Sequence, residues 1–439
     1  MFCKTVWSGL HILPDGYIRL CSIGQNTDKN LDMQRARDKD GKTMHILTHD
    51  IKEIMNSDKH RQVRSLNIQD NNTWSPHCEC CENREVVTKF DKTHKNTSRR
   101  VYLMKTDTSE TVGEHNYQNH REDGIVDWMP ASLDIRFGNL CNQKCVMCNP
   151  TFSNLWYEEY FDFFKTNSFG QSTPITVTKD SKSGKWIEPN ELQWFEDPRW
   201  WPKFEQMMPH LRHIYITGGE PMVTPAHDVM LDKLIESGHA KDIWLEYDTN
   251  ASTINGKIVD RWSHFKKVHI RASMDSIGAE YELIRFGGKW EKFQANIKKL
   301  KQYEKDSNGK VILLSASTCF QIPTCYSIIE TEKWCKSVGV NFHLRFLEGP
   351  ERLAVSVLSD TSKQELIEYY TLNREGSDKA DMIINYLKNH SGEKWHNPAR
   401  VNEFLEFMDY LDGTRNTNWR QVFPKISEMI EKNEISQIR

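Results

Sequence analysis

Apolar positions fall into different patterns along the chain. Short apolar runs at 133–137, 213–217, 243–248, 268–274, 311–320 and 341–347 predict strands. Amphipathic stretches at 153–165, 226–237, 290–304 and 328–338 predict helices between them. Strands alternating with helices at this spacing imply parallel βα units. Six such units form an incomplete barrel, with chemistry expected at the C-terminal strand ends. A polar insertion at 167–198 separates the first helix from the second strand. Past residue 350 the pattern is helical only, at 363–375, 379–390, 401–411 and 419–432. Upstream, two alternating runs in 10–20 flank Pro14-Asp15-Gly16 and predict a hairpin, followed by a polar helix at 50–66. Residues 86–127 read as connecting structure. The expected chain is α/β: a partial (β/α)6 TIM-like barrel at 128–350, a small cysteine-rich α+β domain at 1–127 and a helical region at 351–439.

Composition changes this picture in a few respects. A net charge of −3 gives no broad basic field, so nucleic acid is not the expected partner. No run approaches a membrane span, and the first residues lack a basic start followed by an apolar stretch, so a cytoplasmic protein is expected. The 11 cysteines are bunched rather than scattered. In a reducing compartment, bunched cysteines read as metal ligands.

Cys141, Cys145 and Cys148 have Cx3Cx2C spacing directly after the first barrel strand. Three thiolates on one loop can hold three irons of a cubane and leave the fourth open. A structural zinc would want a fourth ligand close by, and none follows. With this triad the sequence resembles the radical S-adenosylmethionine (SAM) superfamily. Met147 stands where most members carry an aromatic whose backbone lies near the SAM adenine.

The resemblance extends over roughly 131–350. Gly218-Gly219-Glu220-Pro221 after the second strand matches the family's GGEP motif. It implies glycines that let backbone approach the ligand, and a Glu220 that accepts from the SAM ammonium. Ser273-Met-Asp275 and Tyr281-Glu-Leu-Ile-Arg285-Phe-Gly-Gly also follow family patterns. By resemblance, Ser273 and Arg285 hold the SAM carboxylate, as an Arg fork suits. Asn250, in a TNG-like turn with Ala251 for the usual glycine, is a further candidate ligand. Residues 345–348 are candidates to bound the adenine pocket.

Cys3, Cys21 and Cys78-Glu-Cys80-Cys81, around the Pro14 hairpin, resemble the auxiliary-cluster modules called twitch and SPASM. The resemblance implies an auxiliary [4Fe-4S] cluster on Cys3, Cys21, Cys78 and Cys81, with Cys80 able to replace a neighbour. A four-cysteine zinc knuckle fits the same spacing. Cys319, Cys325 and Cys335 read as buried thiols.

These readings imply an oxidoreductase-type enzyme that cleaves SAM to a 5′-deoxyadenosyl radical. Its electron donor would be of the flavodoxin or ferredoxin kind. A peptide or protein substrate is implied by the twitch and SPASM likeness, with a nucleotide, sugar or other metabolite as the alternative. A noncatalytic iron–sulfur or zinc scaffold is the reading from another class, and it would need no SAM pocket.

Overall fold

The computed structural model describes residues 3, 5–21, 35–69, 75–78, 121–169 and 174–434. Cys80 and Cys81 lie outside the described residues.

One eight-stranded sheet organises the chain. Its strands are β1 (Gly9–Ile12), β2 (Ile18–Arg19), β3 (Ser132–Ile135), β4 (His213–Ile216), β5 (Trp244–Thr249), β6 (Lys267–Ser273), β7 (Val311–Phe320) and β8 (Phe342–Phe346). Neighbours run β8-β7-β6-β5-β4-β3-β1-β2. β3 to β8 are parallel throughout and form the six-stranded partial barrel. β1 pairs parallel with β3, and only β2 turns back antiparallel. The N-terminal hairpin therefore continues the barrel sheet beyond β3. One core cluster runs from Val6 through Ile214, Tyr247 and Ile270 to Val340.

Alternation decides which face each strand residue takes. Ile214, Leu245, Tyr247, Val268, Ile270 and Ala272 face outward into that core, beneath helices such as Pro225–Glu236 and Trp290–Asp306. The inward positions include His213, Tyr215, Trp244, Glu246, Asp248, His269, Arg271, Ser315 and Ser317. Barrel interiors are normally filled with branched apolar side chains. This one is lined with polar and charged groups instead.

The helical tail builds a second core. Phe320 and Leu344, on the outer faces of β7 and β8, pack with Leu366, Tyr370, Phe404 and Met429. Helix Asp360–Leu372 starts three residues before the expected position because Ser359 caps it, accepting from the Ser362 N–H. Pro398 at the first turn, behind an Asn397 cap, likewise extends the next long helix to Pro398–Arg415. The last predicted helix divides into Trp419–Val422 and Pro424–Asn433, since Pro424 has no N–H to continue the first. The predicted helix at 50–66 divides too, into Ile51–Met55 and Asp58–Ile68.

The sequence reading has no counterpart for helices Trp200–Met207, Gly256–Trp262 and Gly278–Ile284, nor for the short Thr5–Ser8. The first has an aromatic start and a proline; the next two begin on glycine, which the sequence reading treats as loop. The polar insertion contains two short antiparallel pairs, Ser168–Phe169 with Ile175–Thr176 and Thr178–Lys179 with Trp186–Ile187.

The tail reaches the barrel through a buried ion cluster. Arg415 ends the long helix and contacts Glu159 at 2.6 Å, and Glu159 also pairs with Lys144, beside Cys145. Burial pushes the Glu159 carboxyl up, but Arg415 and then Lys144 outweigh it and hold it below its ordinary value. Truncating one partner of a buried pair strands the other charge. Arg415→Ala is expected to cost about 3 kcal/mol of stability, read as a lower urea midpoint. An unchanged midpoint would remove this cluster from the account.

Candidate active site

The cysteine loop leaves β3 and is held by backbone at several points. The Asn154 N–H donates to the Asn139 carbonyl at 3.0 Å, and its side chain accepts from the Cys141 N–H at 3.3 Å. Ser153 Oγ donates to the Gln143 carbonyl, and Trp156 Nε1 to the Cys145 carbonyl. The far side is strapped to the Arg285 segment. Arg285–Phe286 pairs antiparallel with Lys144–Cys145, and the Val146 N–H donates to the Ile284 carbonyl at 2.8 Å.

The GGEP segment lies against the other flank of this loop. A Cβ on Gly219 would sit 2.1 Å from the Leu140 carbonyl oxygen, so the position admits only glycine. That carbonyl accepts from the Glu220 N–H at 2.8 Å. Gly218 has φ +126°, and a Cβ there would meet Arg136 at 3.0 Å. These glycines let backbone approach the cysteine loop itself. Pro221 opens the turn that follows and is buried.

Glu220 is buried, with its carboxylate turned toward the end of β5. It accepts from Thr249 Oγ1 at 2.6 Å, the Asn250 N–H at 2.7 Å and the Met222 N–H at 3.2 Å. Burial pushes its carboxyl above the ordinary range against those hydrogen bonds. Asn250 in turn donates from Nδ2 to Asn142 Oδ1 at 2.8 Å, inside the cysteine loop. Glu220 and Asn250 thus bind the residues on either side of Cys141, Leu140 and Asn142. Ala251, where the resemblance expects glycine, takes φ 54°, the left-handed region that glycine favours.

Arg285 lies within this group, with Nη2 2.6 Å from Asp275 Oδ2 and Nη1 3.7 Å from Cys145 Sγ. Burial pulls the guanidinium down, but Asp275 and then Cys145 hold it above its ordinary value. Ser273 ends β6, in register with Ser317 of β7. Met147 packs against the second core. Arg345 projects inward from β8, half exposed, 3.8 Å from Asp248.

The donor set suits a cubane. Cys145 and Cys148 share a hydrogen bond that lowers the first thiol and raises the second, with Arg285 adding to the effect at Cys145. Burial pushes Cys141 up to about 12. Ligation as a thiolate therefore requires Cys141 to release its proton. Among the described residues, no three Cys, His, Asp or Glu side chains converge as a single ion requires. A cubane takes its three thiolates at three separate irons and needs no such convergence.

Below the loop lies the polar barrel interior. Arg271 pairs with Glu246 and, at 2.6 Å, with Asp248, while the Tyr215 hydroxyl donates to Asp248 at 2.5 Å. Exposure rises toward the β8 edge, where His343 and Arg345 are open. Buried groups in this wall without a hydrogen-bond partner include the Ser317 hydroxyl and both ring nitrogens of His269. Burial lowers the His269 pKa from its ordinary 6.5 to about 4, so the ring is neutral near pH 7. A histidine depressed by folding stabilises fully above 6.5 and loses that contribution as pH falls toward 4. His269→Gln is therefore expected to flatten the pH dependence of unfolding between pH 6.5 and 4 by up to one proton. An unaltered pH profile would contradict the assignment.

Comparison with known proteins identifies the set. The Radical SAM superfamily profile matches residues 135–314, and an iron-sulfur cluster-binding domain profile, SPASM, matches residues 3–82. The chain carries a radical SAM domain preceded by a SPASM-like domain. Its cofactors are accordingly SAM and [4Fe-4S] clusters. No curated protein matches.

Among solved structures, this radical SAM chain is similar to native anSMEcpe with bound AdoMet and Cp18Cys peptide, at 14% identity and TM-score 0.32 over 55% of this chain and 61% of that one. Streptococcus suis SuiB bound to precursor peptide SuiA gives 14% and 0.35, over 72% and 64%. The methyltransferase TsrM from Kitasatospora setae, with tryptophan substrate and SAM analog bound, gives 13% and 0.33, over 49% and 36%. The chain spans less than two thirds of the length of each. No helix among the described residues is long and apolar enough to cross a membrane.

Sequence reasoning named the cysteines, Glu220, Asn250 and Arg285, which the structure brings together. It gave no role to Asp275, Asn142 or Asn154. A carboxylate ending a strand ten residues before an arginine was the available signal for Asp275. Of the auxiliary candidates, the Cys3 N–H donates to Asn67 Oδ1 of helix Asp58–Ile68 at 3.0 Å, and His77, next to Cys78, meets Gln62 Oε1 of the same helix at 3.3 Å. Cys21 follows β2 by two residues.

Proposed function

We propose that the chain reductively cleaves SAM at a cluster on Cys141, Cys145 and Cys148 and uses the radical on a peptide or protein substrate. One observation carries this reading. The cysteine loop is clamped between the GGEP segment and the Arg285 segment, at the strand ends of a barrel whose interior is polar. When bound, the cluster supplies the electron that breaks the SAM sulfonium, giving methionine and a 5′-deoxyadenosyl radical.

The chain's own residues position and shield. Gly218 and Gly219 set the loop depth. Glu220 fixes the turn carrying Asn250, and Asn250 holds Asn142. Trp156 and the second core close the outer side of the loop, which excludes water from the reacting centre. Met147 and Pro221 belong to the same proposed SAM pocket, with Ser273 at its carboxylate end. Cys3, Cys21, Cys78 and Cys81 are proposed as auxiliary-cluster ligands within the SPASM segment. The domain division at 127/128 and 350/351 is likewise our proposal.

A macromolecular substrate is supported by the SPASM segment and by the interior, which opens at the β8 edge and offers hydrogen-bonding walls to a polar main chain. The test is mass spectrometry of candidate precursor peptides, and of cell extract, after incubation with active enzyme. A SAM-dependent mass change on a polypeptide is expected. A change confined to small metabolites would overturn the substrate class.

Asn250→Ala is expected to raise the SAM Kd about fivefold while iron content stays constant, since one hydrogen bond contributes about 1 kcal/mol. An unchanged Kd would take Asn250 out of the pocket.

A further inference from the structure

Arg285 contacts the cysteine loop directly. The resemblance assigns it to the SAM carboxylate, yet its guanidinium already has two partners. Nη2 meets Asp275 at 2.6 Å, and Nη1 lies 3.7 Å from Cys145 Sγ, within reach of a sulfur acceptor. Of its other N–H groups, Nε is buried without a hydrogen-bond partner. The contact with Cys145 does not depend on a side-chain rotamer alone. Arg285 and Cys145 are direct backbone partners in the antiparallel bridge, and the Val146 N–H to Ile284 carbonyl bond locks the same register.

Asp275 has the marks of a residue fixed for this purpose. It is 1% exposed and takes φ 65°, a left-handed conformation disfavoured for non-glycine residues. Its Oδ1 accepts from the Cys319 N–H at 2.8 Å, which aims Oδ2 at Arg285. Strain of this kind persists where the surroundings over-determine it, and it concentrates at functional sites.

We propose that Arg285 is an N–H donor to the cluster-ligand sulfur of Cys145, held there by Asp275 as a positioning residue, and that its main effect is on the reduction potential rather than on SAM affinity. This inference rests on the reading of Cys145 as a cluster ligand. Hydrogen bonds and positive charge at a ligand sulfur favour the more negative, reduced cluster, so Arg285 raises the potential. The pair thereby eases entry of the electron on which SAM cleavage depends.

The test uses the full chain, reconstituted anaerobically, with EPR-monitored redox titration of the triad cluster and a separate SAM Kd measurement. Arg285→Gln is expected to disfavour reduction about tenfold, a shift of about 59 mV for a one-electron couple, with the SAM Kd changed less than threefold. Arg285→Lys keeps the charge but not the fork, and is expected to shift the potential less than Gln. In an Asp275→Asn background the Arg285→Gln shift should shrink by more than half, because the arginine has already left the sulfur. An unchanged potential with a tenfold weaker Kd would overturn the proposal in favour of a carboxylate clamp. Survival of the triad EPR signal in Cys145→Ala would instead show that the ligand reading itself has failed.

Discussion

Replacing Cys145 with alanine is expected to abolish SAM cleavage, lowering 5′-deoxyadenosine formation by at least about a thousandfold, a loss of roughly 4 kcal/mol in rate terms. The size follows from its place in the loop. Cys145 is buried, its carbonyl is held by Trp156 Nε1, and its backbone pairs with Arg285. Cys141 and Cys148 belong to the same set, and Cys319 is held on β7 by its N–H bond to Asp275. Iron content should fall from about eight to about four per chain, the remainder belonging to the auxiliary site. Retained cleavage would sink the ligand assignment. A drop from about four irons to none, with zinc present, would instead favour the zinc reading of the N-terminal cysteines.

The second large effect is expected at Gly219. An alanine Cβ would stand 2.1 Å from the Leu140 oxygen and 2.7 Å from its carbonyl carbon. Both are backbone atoms one residue before Cys141, so no side chain can swing aside. The Glu220 N–H bond to the same carbonyl must also lengthen. Gly219→Ala is therefore expected to cost on the order of 4 kcal/mol and to empty the triad site. Gly256→Ala is the control. Nothing lies within 4 Å of its Cβ, and the midpoint should stay the same or rise slightly. Equal behaviour of the two variants would show that the close packing at Leu140 does not matter.

The barrel strands were legible because their outward positions are apolar at period two, as in Ile214 and Ile216 or Val268 and Ile270. The cysteine loop was legible because its chemistry lies within eight residues of sequence. The polar interior was not. Nothing in a single strand shows that Glu246, Asp248 and Arg271 will be matched across neighbouring strands. Nor could the sequence show that β1 joins the barrel beside β3, a pairing across more than a hundred residues. Glu220 was read toward the ligand ammonium; the structure turns it to Thr249 and Asn250, partners contributed by the next strand. Cys319 was read as an inert buried thiol. Burial does push it up to about 12, but its backbone N–H is what orients Asp275.

The central claim is that this chain makes a radical from SAM at the Cys141, Cys145 and Cys148 site. The most direct measurement is product analysis of the anaerobically reconstituted full chain with dithionite and SAM. The account predicts 5′-deoxyadenosine and methionine in equal amounts, dependent on reductant. Protein carrying about eight irons per chain that yields neither product would contradict it.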